Sequence, residues 1–182
     1  GLVTGTWPVA GASSARDQAA LGILAKVLEL RVRAEVREKL GLAYAPSARF
    51  EPFDGFPDFA LLQARIDCAP NDAGRVAPVI AAIGATLAAR GVTNGEFIGA
   101  RGILRGQLRE AFRKSDFLAG LLMRAQERPE EAAEAVALHG GLVGQISLAE
   151  VNAWAARILP ADKCRTAAVV PKAFVGVLEG SR

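Results

Sequence analysis

The chain has 182 residues, of which 51% are hydrophobic and 23% charged, with a net charge of +3 at neutral pH. That is enough apolar chain for one domain with a proper core, and it excludes a disordered or low-complexity polymer. The small positive charge singles out no acidic partner, no apolar run approaches the ~18 residues of a membrane span, and no signal peptide is recognisable.

Leu2–Trp7 reads as a first strand ended by Pro8. Because the chain opens on Gly and is at once extended, this strand looks entered partway, and the whole reads as a fragment of a longer protein. Ser14 stands three residues before Asp17, a weak capping box that opens a helix. Leu21, Leu24, Leu28, Val32, Val36 and Leu40 recur at steps of three or four and predict one buried face as far as about Leu40. Glu29 with Arg33 and Glu35 with Lys39 are acid-before-base pairs four apart on the wet side. Gly41 is the stop, with basic residues crowding the last turn.

A second strand is expected over Leu42–Phe50, at a sheet edge or bulged because of Pro46. Glu51–Pro57 connects it through an Asp54-Gly55 turn to a third strand, Phe59–Cys68. There Ala60, Leu62, Ala64, Ile66 and Cys68 share one face, and Gln63, Arg65 and Asp67 the other. Pro70-Asn71-Asp72 opens a helix with Val76, Val79, Ile80, Ile83 and Leu87 as its core stripe, ending at Gly91. Thr93 and Glu96 form a capping box for the next, which carries Phe97, Ile98, Leu104, Leu108 and Phe112. Shorter helices follow over Phe117–Gln126 and, after Pro129, Glu130–Leu138, closed by His139-Gly140-Gly141. Ser147 and Glu150 cap a helix through Trp154 to Leu159, stopped by Pro160, and Arg165–Val170 is the last strand. The order predicts a single α+β domain over residues 1–182, with an antiparallel or mixed sheet and helices largely on one face.

Two residues near Gly41 have chemistry to offer. Arg37 carries a planar fork of donors that stays charged, and Tyr44 a phenol on a stiff ring. A glycine turn between helix end and strand start can aim both at one point. The plainer reading has Arg37 complementing the helix carbonyls and Tyr44 packing at a strand edge, and the residues alone favour it.

Other signals have plainer readings still. Arg101, Arg105, Arg109 and Arg113 recur every four residues, but a helix must face water somewhere, and no aromatic stacking platform accompanies them. Gly99, Gly102 and Gly106 on the same helix suggest close packing against a neighbour or a less regular helix. His139, the single histidine, reads as a helix end, since a zinc site needs several convergent ligands. Cys68 and Cys164 read as small buried hydrophobes, and pairing would require their strands to be neighbours.

The stretch from Asp17 to Ala48, DQAALGILAKVLELRVRAEVREKLGLAYAPSA, resembles the C-terminal half-unit of the insulinase/pitrilysin-type zinc metallopeptidases, which include the mitochondrial processing peptidases. Trp7-Pro8 upstream, then LLQARIDCAP, GVTNGEF, SLAEVNAWAARIL and TAAVVP extend the likeness over almost the whole chain. Within it the Arg37–Tyr44 pair, inside REKLGLAY, is the most specific element. The resemblance implies a two-domain parent whose homologous halves enclose a chamber. One half holds zinc through His-x-x-Glu-His and a further Glu; the other lacks the metal and reaches toward the scissile bond with an Arg and a Tyr, here Arg37 and Tyr44 as substrate-binding residues. No catalytic residue, metal ligand or cofactor is assigned to this chain, which is expected to be inactive alone. The implied partners are a zinc-binding half-domain or partner subunit and a peptide substrate, with a homo- or heterodimer as a further option and no nucleic acid. Periplasm and cytoplasm both fit a bacterial parent. The alternative is a catalytically inactive structural or interaction domain, or the inactive partner subunit of a heteromeric peptidase.

Overall fold

Four antiparallel strands run in the order β2-β3-β1-β4 in the computed structural model, where β1 is Leu2–Ala10, β2 Ser47–Phe53, β3 Phe56–Asp67 and β4 Arg165–Val169. The structure describes residues 1–42, 46–53, 56–174 and 176. The two-residue alternation of β1 and β3 decides which side is covered: Val3, Trp7 and Val9 are buried with Ala60, Leu62, Ala64 and Ile66, while Arg65 and Asp67 are exposed on the other side. The helices lie over the buried face, giving the expected α+β arrangement with an antiparallel sheet.

β1 extends past Pro8, which the sequence had marked as its end, and the register explains why. Gly1 O accepts from Cys68 N and Gly11 N donates to Asp58 O, so odd-numbered residues of β1 bond β3 and even-numbered ones face β4. β4 pairs only as far as Thr6, so the donor that Pro8 lacks falls where no partner strand exists. The same parity holds at β2. Its even positions face the free edge, Pro52 among them, and the register shift lies at Pro52/Phe53 rather than at Pro46, which precedes the strand. Phe53 and Phe56 are partners across Asp54-Gly55, and that link itself lies outside the described residues.

Helix α1, Ala15–Val32, is the centre of the helical layer. Ala19, Ala20, Leu21, Ile23, Leu24, Ala25, Val27, Leu28 and Val32 are all buried, so it is apolar nearly all round. Its neighbours are β2 and β3 on one side and α2 (Ala73–Arg90), α3 (Asn94–Ala111) and a C-terminal helix, Leu148–Ile158, elsewhere. Between them lie α4 (Ser115–Glu127), α5 (Pro129–Ala137) and a π turn over Leu138–Leu142 that kinks at Gly141, φ +119°. The capping boxes expected at Thr93/Glu96 and Ser147/Glu150 are both formed, and Ser14 accepts from Asp17 N.

α2 has enough mean hydropathy over 18 residues, with its preceding turn, to pass for a membrane span on length and composition. Its Val76, Ile80, Ile83 and Leu87 are buried in the core, and much of the remaining hydropathy comes from alanines such as Ala81, Ala82, Ala85 and Ala89, two of them exposed. Close approach of α2 to β1 depends on one glycine from each. A Cβ on Gly84 would lie 2.6 Å from Trp7 Cζ2, and one on Gly5 would meet the Ile80 side chain. Gly22 of α1 makes room for Leu104 of α3 in the same manner. By contrast Gly99, Gly102 and Gly106 have nothing within 4 Å of an added Cβ, so the close packing expected there is absent. Ile98 is likewise 53% exposed rather than in the core stripe, because α3 turns only Phe97 and Ala100 fully inward.

Arg31 of α1 ties the layer together by a bidentate pair with Glu96, Nε to Oε1 at 2.7 Å and a second nitrogen to Oε2 at 3.0 Å, and it also donates to Gly91 O. Hydrogen bonds from Arg31, reinforced by Thr93, hold the Glu96 carboxyl at about 2 against its ordinary 4.5, although partial burial opposes them.

Replacing Gly84 by Ala should destabilise the domain in urea melts by about 1–3 kcal/mol of overpacking, less up to about 1 kcal/mol recovered in helix propensity. Gly102→Ala should stabilise it by up to about 1 kcal/mol, since the new methyl meets nothing. A pH series tests Arg31–Glu96. A lowered carboxyl pKa contributes stability above about 4.5 that disappears as pH falls toward 2. The difference in Tm between wild type and Glu96→Gln should therefore be full at pH 6 and close across that window; a gap that persists at pH 2 would assign Glu96 a purely steric role.

Candidate functional site

The end of the central helix departs from α geometry. From Arg33 to Lys39 the backbone forms a π turn, and Leu40 N donates to Glu35 O at 3.1 Å, five residues back. Gly41 then takes the left-handed conformation, φ +65°, and Leu42 N reaches back to Val36 O at 2.9 Å. An ordinary Schellman closure spans one residue fewer, so the extra residue of the π turn is carried through to the corner. Gly41 is thus the stop expected from sequence. The helix itself changes character eight residues earlier.

The π turn buries Val36 and leaves Arg37, Glu38, Lys39 and Leu40 exposed. Leu40, the last member of the predicted stripe, sits at the helix cap beyond the core and is 41% exposed. Arg37 projects from the last turn with no hydrogen bond or ion pair among the described residues, whereas Lys39 is engaged with Glu35 at 2.7 Å. Tyr44, the second predicted site residue, lies outside the described residues. Across the corner, β2 starts at Ser47.

One acid in the body of α1 has a larger role than its spacing suggested. Glu29 pairs with Arg33 at 3.6 Å as expected, but its carboxylate also accepts from Lys26 Nζ at 3.1 Å and from the backbone N–H of Ala48 at 3.3 Å. Only the i, i+4 partner was visible from sequence, because the bond to Ala48 joins two elements 19 positions apart.

Elsewhere the arrangement offers less chemistry. A cavity of about 550 Å³ opens at the other end of β2, between Phe53 and Phe59 of the hairpin and Phe117 and Leu121 of α4, with Gln18 bonded to Glu134 at its side. His139 is exposed and stacks on Phe112 at 4.2 Å, and among the described residues no group of three His, Cys, Asp or Glu could hold a metal ion. The described residues therefore do not fit a zinc centre. Arg101 lies over the Phe97 ring and donates to Gly144 O and Ile146 O, and Arg113 pairs with Glu110, so half of the arginine stripe is engaged within the fold. Cys68 and Cys164 are free, and burial raises both thiols. Cys68 lies beside Gly1 and Cys164 just before the Arg165–Thr6 pair, on opposite sides of β1. Offset by about five residues along the strand and two strand spacings across it, they are roughly 20 Å apart, too far for a disulfide.

The family model described as peptidase M16 inactive domain matches residues 2–104, which run from β1 into α3 and include the corner. The chain belongs to the peptidase M16 inactive-domain family. No curated protein sequence matches it. Among solved structures it is similar to the inactive peptidase domain of a candidate zinc protease from Bordetella parapertussis, with 17% identity over 94% of this chain and 92% of that one, TM-score 0.73. It also resembles a protease from Helicobacter pylori (16% identity, 91% of this chain, TM-score 0.73) and a peptidase M16 inactive domain from Pseudomonas fluorescens (17% identity, 91% of this chain, TM-score 0.68). These likenesses show the fold. The chain spans 40% of the length of each of the latter two.

In this M16 inactive domain the corner is held by the backbone of one residue. Gly41→Ala meets no neighbour within 4 Å, so its cost is conformational and should be about 1–2 kcal/mol. Gly41→Asn should cost less, because Asn tolerates the left-handed region. Urea unfolding of both variants orders them, and equal stability of all three proteins would show that the corner does not require this conformation.

Proposed function

We propose that the domain is the non-metal C-terminal half of a zinc metalloendopeptidase, closing a substrate chamber and lending Arg37 and Tyr44 to the peptide held there. The observation that carries this reading is the corner itself. A guanidinium stands exposed and unengaged among the described residues on the last turn of the central helix, and the tyrosine lies three residues beyond the glycine stop. Membership of the M16 inactive-domain family supports it, as does a chain spanning two fifths of similar proteases. The metal belongs to the other half of the parent, and no step on this half depends on a metal ligand.

The work assigned to this half is electrostatic. Attack on an amide carbonyl places negative charge on its oxygen, and a phenol O–H and a guanidinium held in fixed positions stabilise that charge without reorganising. Arg37 suits a second task, gripping a substrate carbonyl or carboxylate before reaction, since its fork accepts planar partners at two points. The substrate class is an unfolded peptide, because a scissile bond must be extended to reach a corner between two half-units.

In the complete enzyme Tyr44→Phe should lower kcat by about 10²–10³ while leaving KM and Tm nearly unchanged. Arg37→Ala should raise KM if its grip is made in the ground state. Turnover unaffected by Tyr44→Phe would leave the chain as the inactive structural or interaction domain of its assembly, and a chelator that fails to abolish peptidase activity would remove the metal from the scheme.

A further inference from the structure

We propose that a small pocket between the second half of α3 and the π turn Leu138–Leu142 is an anion site. Its ligand is the phosphoryl group of free phosphate or of a small phosphate ester, held by Arg105, Arg109 and His139. These three side chains line one cavity of about 230 Å³. The pocket is remote from the corner. Glu96 in the first turn of α3 meets Arg31 near the end of α1, whereas Leu104 meets Gly22 near its beginning. Arg105 and Arg109 follow Leu104, so they lie toward the opposite end of α1 from Arg37.

Contact with water explains an arginine stripe on a helix, but not the way this one is divided. Its outer members are spent within the fold, Arg101 on Gly144 O and Ile146 O and Arg113 on Glu110. Arg105 and Arg109 are exposed and have no hydrogen bond or ion pair among the described residues. They stand four apart, a spacing at which like charges face and oppose each other. No acid lines the pocket to relieve them. Glu110 is taken by Arg113, and Glu134 is bonded to Gln18.

His139 is oriented from the other wall. Its ring stacks on Phe112 at 4.2 Å between centroids, and Phe112 leans in turn on Phe117. Aromatic faces therefore hold the imidazole, and neither ring nitrogen is engaged among the described residues. An imidazole donates through at least one nitrogen in either protonation state. Gly140 and Gly141 leave that wall as bare backbone, and an added Cβ on either would stand in open space. The cavity is smaller than the roughly 300–1,000 Å³ of pockets that enclose whole drug-sized ligands, so it suits a charged end or a small ion. Guanidinium forks match carboxylate and phosphate oxygens two at a time. Two forks and an imidazole offer more donors than the two oxygens of one carboxylate can use. A phosphate monoester has three free oxygens and a charge of about −1.5 to −2 at neutral pH, which balances two arginines.

The chain carries its own reporter, because His139 is its single histidine. Inorganic phosphate titrated into the 182-residue chain at constant pH and ionic strength should move the His139 ring-proton signals saturably. Arg105→Ala and Arg109→Ala should each weaken that binding by about tenfold or more, the loss of one charge-assisted hydrogen-bonding partner. Both side chains are exposed, so the Tm of each variant without phosphate should match wild type. Arg109→Lys, which keeps the charge and loses the fork, should fall between Arg109→Ala and wild type. Arg90→Ala removes a cation at the end of α2 and should leave the affinity unchanged. Acetate should bind at least about tenfold more weakly than phosphate, since it brings one charge and two oxygens. Glycerol phosphate binding as tightly as inorganic phosphate, or tighter, would support an ester as the ligand; weaker binding would support the free ion. A His139 shift no larger than sodium chloride produces would overturn the proposal, as would an equal loss of affinity in Arg90→Ala. Acetate binding as tightly as phosphate would overturn the assignment to a phosphoryl group.

Discussion

Burial of α1 on nearly every side is the constraint from which the rest of the domain follows. A helix with apolar residues on all faces cannot rest on a sheet and stop there, because its outer surface would remain in water. α2, α3 and the C-terminal helix close around it, which is why the helical layer lies on one side of the sheet and why the helices after β3 return to the first. Glycines admit the closest of these contacts, Gly22 facing Leu104 and Gly84 facing Trp7. Charge is kept to the margins of this layer: Arg31 reaches Glu96 at the edge of the interface, where both side chains keep about a quarter of their surface in water.

A helix so confined gives its C-terminal end a fixed position, and the corner inherits it. The change from α to π geometry at Arg33 places one extra residue inside each hydrogen-bonded loop, which alters where each later side chain emerges. Val36 stays in the core while the four residues after it are turned to solvent. The same widening reaches the closure, where Leu42 bonds Val36 across one residue more than usual. Irregular helix of this kind is a concession in backbone regularity, and it leaves Arg37 exposed shortly before a turn that Gly41 makes in the left-handed conformation.

Much of the fold was legible because it rests on local rules. The period-2 face of β3, the capping boxes at Thr93 and Ser147, and the Gly41 stop all announce themselves within a few residues. What escaped was set by partners distant in sequence. Pro8 ends a strand by propensity but not here, since its missing donor faces beyond the end of β4. The α3 glycines imply a neighbour by cost alone, yet face open space. The π turn has no clear signature in RAEVREK, whose ion pair between Glu35 and Lys39 fits either helix type. At the site, Arg37 was readable as an outward residue of the last turn, while the bond from Glu29 to Ala48 was invisible, because i, i+4 arithmetic cannot see across to a strand.

The edge beside the corner argues for what kind of contribution this half can make. Even-numbered residues of β2 point their backbone groups outward; Ala48 N–H is already taken by Glu29 and Pro52 has no N–H to give, which leaves Phe50 as the outward donor between them. Strand addition relies on a row of such donors and acceptors, and a row with alternate members removed resists it. On the proposed reading, a peptide arriving at this corner meets side-chain donors rather than a strand to pair with. Its backbone must then be gripped by the other half of the assembly, so that one half supplies alignment and the other supplies charge at the oxygen. A guarded edge and an outward arginine fit that division better than either would alone.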